Sequence, residues 1–178
     1  MNSAPIDFLR EALSYDPESG VLTWKDRPRS HFATDRGHRV FRSRDVGKVA
    51  GHVVQSTGYR LINLGQYGFI GAHRIALALV TGEWPEVVDH INGDPLDNRL
   101  LNLRSCTKEQ NCRNRRMNRG NRAGLKGVSA HPNTPRWIAR IQHQGKQHYI
   151  GTFDTPELAH AAYVAASKRL HGEFANAG

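Results

Sequence analysis

Between residues 89 and 111 the chain sets a carboxylate, an imidazole and two carboxamides close together: Asp89 beside His90, then Asn102, then Asn111. An aspartate carboxylate is a hard anionic oxygen donor of the kind Mg²⁺ prefers. An imidazole is the side chain best suited to take and release a proton near neutral pH. Asn102 cannot act as a base, but its amide both donates and accepts, so it can pin two loop segments together. Asn111 offers a neutral carbonyl oxygen as a second ligand. Together the four could give one metal ion two protein ligands with a base beside it.

Local pattern suggests how they converge. Glu86-Val87-Val88 reads as a short strand running into Asp89-His90, and the Asn, Gly, Asp and Pro residues from Asn92 to Asn98 are loop formers. Leu100, Leu101 and Leu103 lead into a second extended piece. Thr107 suits the N-cap of a helix through Asn111. Strand, loop, strand and helix would return Asn111 towards Asp89. Alone, an Asp-His pair or an Asn-Gly-Asp triplet reads as a surface turn; the joint spacing carries the argument.

That spacing resembles the HNH nucleases of the ββα-metal type, most closely the endonucleases of phages and introns. The resemblance implies that Asp89 and Asn111 hold one divalent ion per active site, Mg²⁺ or Mn²⁺. It further implies that His90 activates the attacking water and that Asn102 ties the loop so that His90 points correctly. Asn111 stands where the final letter of the family's name would place His, a variant that phage-type members share.

Charge points to the same class of partner. The 178 residues carry a net charge of +9, yet nine Lys or Arg and no Asp or Glu lie between Gln110 and Phe153. The rest holds 16 of each sign and is neutral. Such concentration suits a polyanion, and with the motif beside it double-stranded DNA is the expected partner. The 2 cysteines, Cys106 and Cys112, are too few for a disulfide framework or a four-thiolate zinc site, so reduced thiols are expected. No apolar run approaches the ~20 residues of a membrane span, and the start lacks a signal-peptide core. The expected location is the cytoplasm, that of the host cell if the chain is phage-encoded, with no membrane association and no obligate protein partner.

Four segments are expected. Residues 1–54 read as a short helix with Ile6, Phe8, Leu9 and Leu13, a strand at Val21–Trp24, and a basic loop from Lys25 to Arg44. The loop arginines, Arg27 among them, read equally as phosphate contacts or as a solvated surface. Residues 55–115 form the nuclease unit, with a hairpin over 58–72 and a buried helix over 73–81 closed by Gly82 and Pro85. His73 and Arg74 open that helix; His73 could touch a phosphate or pack as a core histidine. Residues 116–123 form a basic linker, and Arg113, Arg115, Arg116, Arg119 and Arg122 are expected to neutralise phosphates.

Residues 124–178 change pattern to three short strands and a helix that starts at Thr155-Pro156. Lys126-Gly127-Val128, Trp137 to Ile141, Gly151 to Thr155, Ala161-Ala162-Tyr163 and Leu170-His171-Gly172 resemble the AP2 DNA-binding domain. That likeness implies a three-stranded sheet entering the major groove, reading through Lys126, Ser129, Arg136, Arg140, Gln142, Gln147 and Tyr149. Arg can pair bidentately with guanine and Gln with adenine.

The sequence therefore predicts an α+β, modular chain: a ββα-metal nuclease core followed by an AP2-like antiparallel sheet and helix. The expected activity is metal-dependent, site-directed cleavage of DNA in the homing or free-standing phage manner. It would leave 5′-phosphate and 3′-hydroxyl ends and nick as a monomer. The rival reading is a sequence-specific DNA-binding regulator whose nuclease domain is inactive.

Overall fold

A computed structural model describes residues 3–114, 121 and 123–176. The chain forms two compact units, residues 1–106 and 107–178.

In the first unit, helix α1 (Ile6–Ala12) buries Leu9 and Ala12. The chain then turns directly into strand β1 (Leu13–Asp16), which pairs antiparallel with β2 (Val21–Trp24). Leu13, expected on the helix, instead opens the strand and faces Trp24 across the hairpin. Residues 25–44 are not a plain loop. Thr34 caps helix α2 (Asp35–Arg44) by accepting from the Gly37 amide at 3.1 Å. A cap of this kind is worth about 1 kcal/mol. Val40 and Phe41 are the helix's only bulky apolar residues, and of these only Phe41 is buried, so no apolar stripe marked it in the sequence.

Arg27 departs further from expectation. It is buried, with its guanidinium 4.7 to 5.5 Å from the ring centres of Phe8, Trp24, Phe32 and Phe41. Loss of water lowers its pKa. A guanidinium stacks on aromatic faces, which fits Arg for this place where a phosphate contact had been one reading.

Strands β3 (His52–Val53), β4 (Arg60–Asn63) and β5 (Phe69–Gly71) make an antiparallel sheet in that order. Helix α3 (Ala72–Thr81) follows, and Gly82 ends it in the left-handed conformation at φ 78°. β6 (Val87–His90) and β7 (Leu103–Cys106) form a separate antiparallel pair. One core joins Leu9, Leu13 and Leu22 to Ile62, Leu64, Ile75, Val88 and Leu103. Each such side chain contributes about 1.5–3 kcal/mol when fully buried. The expected division at residue 54 falls inside this core, and β3, which precedes it, hydrogen-bonds to β4, which follows it.

The second unit opens with helix α4 (Lys108–Asn114). Thr107 and Gln110 form a reciprocal capping box: the Gln110 amide donates to Thr107 Oγ1, and the Thr107 amide donates to Gln110 Oε1. Strands β8 (Val128–Ala130), β9 (Trp137–His143) and β10 (Lys146–Phe153) make an antiparallel sheet with β9 at its centre. Gln144 and Gly145, both at positive φ, turn β9 into β10. Thr155 caps helix α5 (Pro156–His171), which packs Ala159, Tyr163 and Ala166 against the sheet. Close approach requires Gly127, where an added Cβ would lie 2.0 Å from the Tyr163 ring. Among the described residues no helix is long and apolar enough to cross a membrane.

Candidate active site

Two adjacent polar residues end β6, and both are buried: Asp89 is 4% exposed and His90 5%. Their partners come from β7 and the intervening loop. Arg104 lies directly opposite Asp89 in the strand register, and its Nε and Nη2 both donate to Asp89 Oδ2, at 2.8 and 2.6 Å. A buried carboxylate needs such a pairing, because an unpaired charge away from water is costly.

His90 Nε2 lies 3.1 Å from Oδ1 of Asn98, itself buried. An amide oxygen accepts, so Nε2 is the donor in this contact, and whenever the ring carries a single N–H the lone pair lies on Nδ1. A neighbouring side chain therefore selects the tautomer.

The loop from 91 to 101 is tied by Asn102. Its Oδ1 accepts from the Asn92 amide at 3.0 Å, and its Nδ2 donates to Asn92 Oδ1 and to the Asp97 carbonyl at 3.1 and 2.7 Å. Asp97 receives Arg99 Nε and Nη2 at 2.7 and 2.6 Å and Asn92 Nδ2 at 2.8 Å. Arg99, foremost among these, holds the Asp97 pKa down to about 2.

His73 packs on the site from α3, its ring 5.1 Å from that of His90 and 4.9 Å from that of Tyr59. Burial, with His90 and Arg74 nearby, pushes its pKa down to about 3, so it stays neutral. Its Nδ1 is buried without a hydrogen-bond partner. Arg74 turns elsewhere, donating to the Pro85 carbonyl at 3.1 Å and lying over Trp84. Of the proposed phosphate contacts, His73 is thus beside the candidate base and Arg74 serves packing.

Asn111 belongs to the second unit, on α4, and is partly buried. In that same unit Arg140 and Tyr149 face each other across β9 and β10, as do Gln142 and Gln147, and all four are exposed. Ser129 is exposed on β8. Tyr149 shares a hydrogen bond with Thr152, and Arg136 pairs with Asp154 at 2.9 Å. Lys126 does not share this face. It lines a cavity of 510 Å³ with Ile141, Tyr163 and His171, side chains on the α5 side of the sheet. Desolvation there lowers its pKa. Arg115, Arg116, Arg119 and Arg122 lie outside the described residues, as does the Arg113 side chain.

A family model described as HNH endonuclease matches residues 71–113, a span that takes in α3, β6, the loop, β7 and most of α4. Protein 3.8 of Escherichia phage T7 is 36% identical over 89 residues, covering 49% of this chain and 72% of that protein. The chain belongs to the family of T7 protein 3.8 and carries an HNH endonuclease domain. No solved structure matches it. The HNH domain points to nuclease activity and implies a DNA substrate.

The HNH family in general depends on a divalent metal, and the donor chemistry here fits one. Mg²⁺ keeps several waters and is held through one or two carboxylates together with substrate phosphates. Asp89 offers a carboxylate of that kind, next to His90. Among the described residues no group of three or more His, Cys, Asp or Glu could form a closed cage.

Two residues that hold His90 and Asp89 are absent from the expected site residues. Asn98 was visible only as a loop former, although its position eight residues after His90 puts it within reach across a compact loop. Arg104 carried no expected role; the signal that could have found it is its register opposite Asp89.

Proposed function

We propose that the chain is a metal-dependent endonuclease that hydrolyses one phosphodiester of double-stranded DNA per active centre. The observation that carries this reading is the buried Asp89–His90 pair, with the imidazole tautomer set by Asn98 and the carboxylate oriented by Arg104. A module that only binds DNA has no use for a buried base whose ring is held this way.

Asp89 would hold Mg²⁺ or Mn²⁺, one ion per site. Asn111 is the proposed second ligand, supported by the family match, which runs through residue 113. When bound, the ion supplies charge stabilisation to the phosphate and to the departing oxygen. His90 takes a proton from the attacking water at Nδ1, while Nε2–H remains on Asn98. Water oxygen bonds to phosphorus, the bond to the 3′ oxygen breaks, and that oxygen takes a proton from solvent. The products are a 5′-phosphate and a 3′-hydroxyl. One such centre cuts one strand, so a monomer nicks.

The outward face of β8 to β10 is the proposed recognition surface, an AP2-like sheet laid in the major groove. Arg140 is suited to guanine, and Gln142 and Gln147 to adenine. Arg113 and the basic residues 115–122 would add phosphate neutralisation, and with it salt-sensitive affinity. The cutter would thus be site-directed, in the manner of homing or free-standing phage enzymes.

Supercoiled plasmid carrying candidate sites tests the proposal, incubated with Mg²⁺, Mn²⁺ or EDTA, using wild type and His90→Ala. Metal-dependent open circles, lost in the variant, are expected. Tight duplex binding with no cleavage under either metal would instead make the chain a DNA-binding regulator with an inactive nuclease domain.

A further inference from the structure

The turn between β1 and β2 packs against the backbone of residues 98–100, some eighty positions away in the chain. Three contacts fall on three consecutive residues. The Tyr15 hydroxyl donates to the Asn98 carbonyl at 2.8 Å. The Leu100 amide donates to the Pro17 carbonyl at 3.0 Å. At Gly20, held at φ +73°, an added Cβ would stand 2.4 Å from both Arg99 N and the Asn98 carbonyl carbon. Only glycine allows the two backbones to approach this closely.

The turn is itself pre-set. Pro17 fixes one φ angle. Asp16 accepts from the Glu18 amide and the Ser19 hydroxyl through its carboxylate, and from the Gly20 amide through its carbonyl. Nothing in the first unit's core requires the segment 16–20, which is exposed apart from Gly20. Its evident work is on the loop. Asn98 is the one residue there that is both anchored by the hairpin, through its carbonyl, and bonded to His90, through its side chain. The Tyr15 phenol is part-buried, and its pKa is pushed up to about 12, chiefly by burial and then by Asp16 and Asp97, so it remains a donor at any working pH.

We propose that the β1–β2 hairpin is the positioning element of the candidate active site. Tyr15, Pro17 and Gly20 fix the backbone of residues 98–100, and through Asn98 Oδ1 they hold the His90 imidazole in the tautomer that leaves Nδ1 to take a proton. This makes Tyr15 a positioning residue, acting through Asn98, and gives the N-terminal segment a part in the chemistry. The kinetic side of the proposal rests on the nuclease reading; the ring geometry does not.

The experiment is a double-mutant cycle on the full chain, with Tyr15→Phe and Asn98→Ala alone and together. Nicking is measured at saturating Mg²⁺, with duplex affinity and urea midpoints alongside. Tyr15→Phe keeps the ring and removes one hydrogen bond, so kcat should fall roughly fivefold with KM and duplex affinity unchanged. In the Asn98→Ala background the same change should cost nothing, because the link to His90 is already cut. Gly20→Ala, which displaces the loop backbone, should lower kcat by a larger factor, on the order of tenfold or more. In parallel, ¹⁵N spectra of the His90 ring should show the Nε2–H tautomer in wild type and a mixture in Tyr15→Phe.

An equal loss from Tyr15→Phe in both backgrounds, or a loss in stability with kcat intact, would reduce the hairpin to packing and overturn the proposal. A wild type that cleaves nothing would sink the nuclease reading instead. The ring spectra then decide the positioning claim by themselves, and a His90 tautomer unchanged in Tyr15→Phe overturns it.

Discussion

Polar side chains are used in opposite ways at residues 89–104 and at residues 129–149. In the first region Asp89, His90, Asn98 and Asn102 are buried, and each is tied to a named partner at 3.1 Å or less. In the second, Ser129, Arg140, Gln142, Gln147 and Tyr149 stand exposed on strands whose core faces the other way. Burial with full pairing sets a geometry before any substrate arrives, which is what bond-breaking demands. Exposure on a rigid sheet leaves side chains able to adapt to a partner's edges, which is what reading demands. Substitutions should therefore separate cleavage from recognition.

The largest effect should come from His90, the proposed base. His90→Ala should lower the nicking rate by roughly 10²–10⁴-fold while leaving duplex affinity within about twofold, checked by plasmid nicking and by a binding titration. Equal loss of both would erase the contrast between the regions. Arg104→Leu comes next. It leaves Asp89 buried without its guanidinium, and urea unfolding followed by circular dichroism should show a loss of about 3–5 kcal/mol. On the sheet, Arg140→Ala should cost about 1–3 kcal/mol of preference for the cognate site over a single-base variant, with stability unchanged. Parallel loss on every DNA sequence would recast Arg140 as a phosphate contact.

The smallest effect concerns acidity. His73 has a folded pKa of about 3, below the ~6.5 of an unfolded histidine, so the unfolded chain binds more protons. The stability this neutral ring contributes is full above pH ~6.5 and is lost as the pH falls towards 3. At pH 5 the loss should be at most about 2 kcal/mol. Urea midpoints at pH 7.5 and 5.0 should diverge more for wild type than for His73→Phe; equal divergence would place the sensitivity elsewhere.

Local signals made much of this legible in the sequence. Thr107 with Gln110, Gly82 after α3 and Thr155-Pro156 before α5 act within four residues of themselves, and the helix ends follow from them. The loop formers from Asn92 to Asn98 likewise announce the bend between β6 and β7. What stayed hidden depends on distant partners. Arg27 reads as one basic residue among many until four rings close on it. Asn98 reads as a turn until the Tyr15 hydroxyl reaches it from the other end of the unit. Lys126 sits in a basic stretch, yet the fold takes it to the helix side of the sheet. Helix α2 lacked an apolar stripe because a cap and one buried phenylalanine suffice to place it.

The ring of aromatics around Arg27 has a practical side. Ion pairs on the surface, such as Arg42 with Asp26 or Arg10 with Asp7, weaken as salt shortens the Debye length. A guanidinium enclosed by Phe8, Trp24, Phe32 and Phe41 lies largely beyond the reach of counter-ions. Buffers concentrated enough to strip adhering nucleic acid from a basic protein should thus leave this aromatic cluster of the first unit intact.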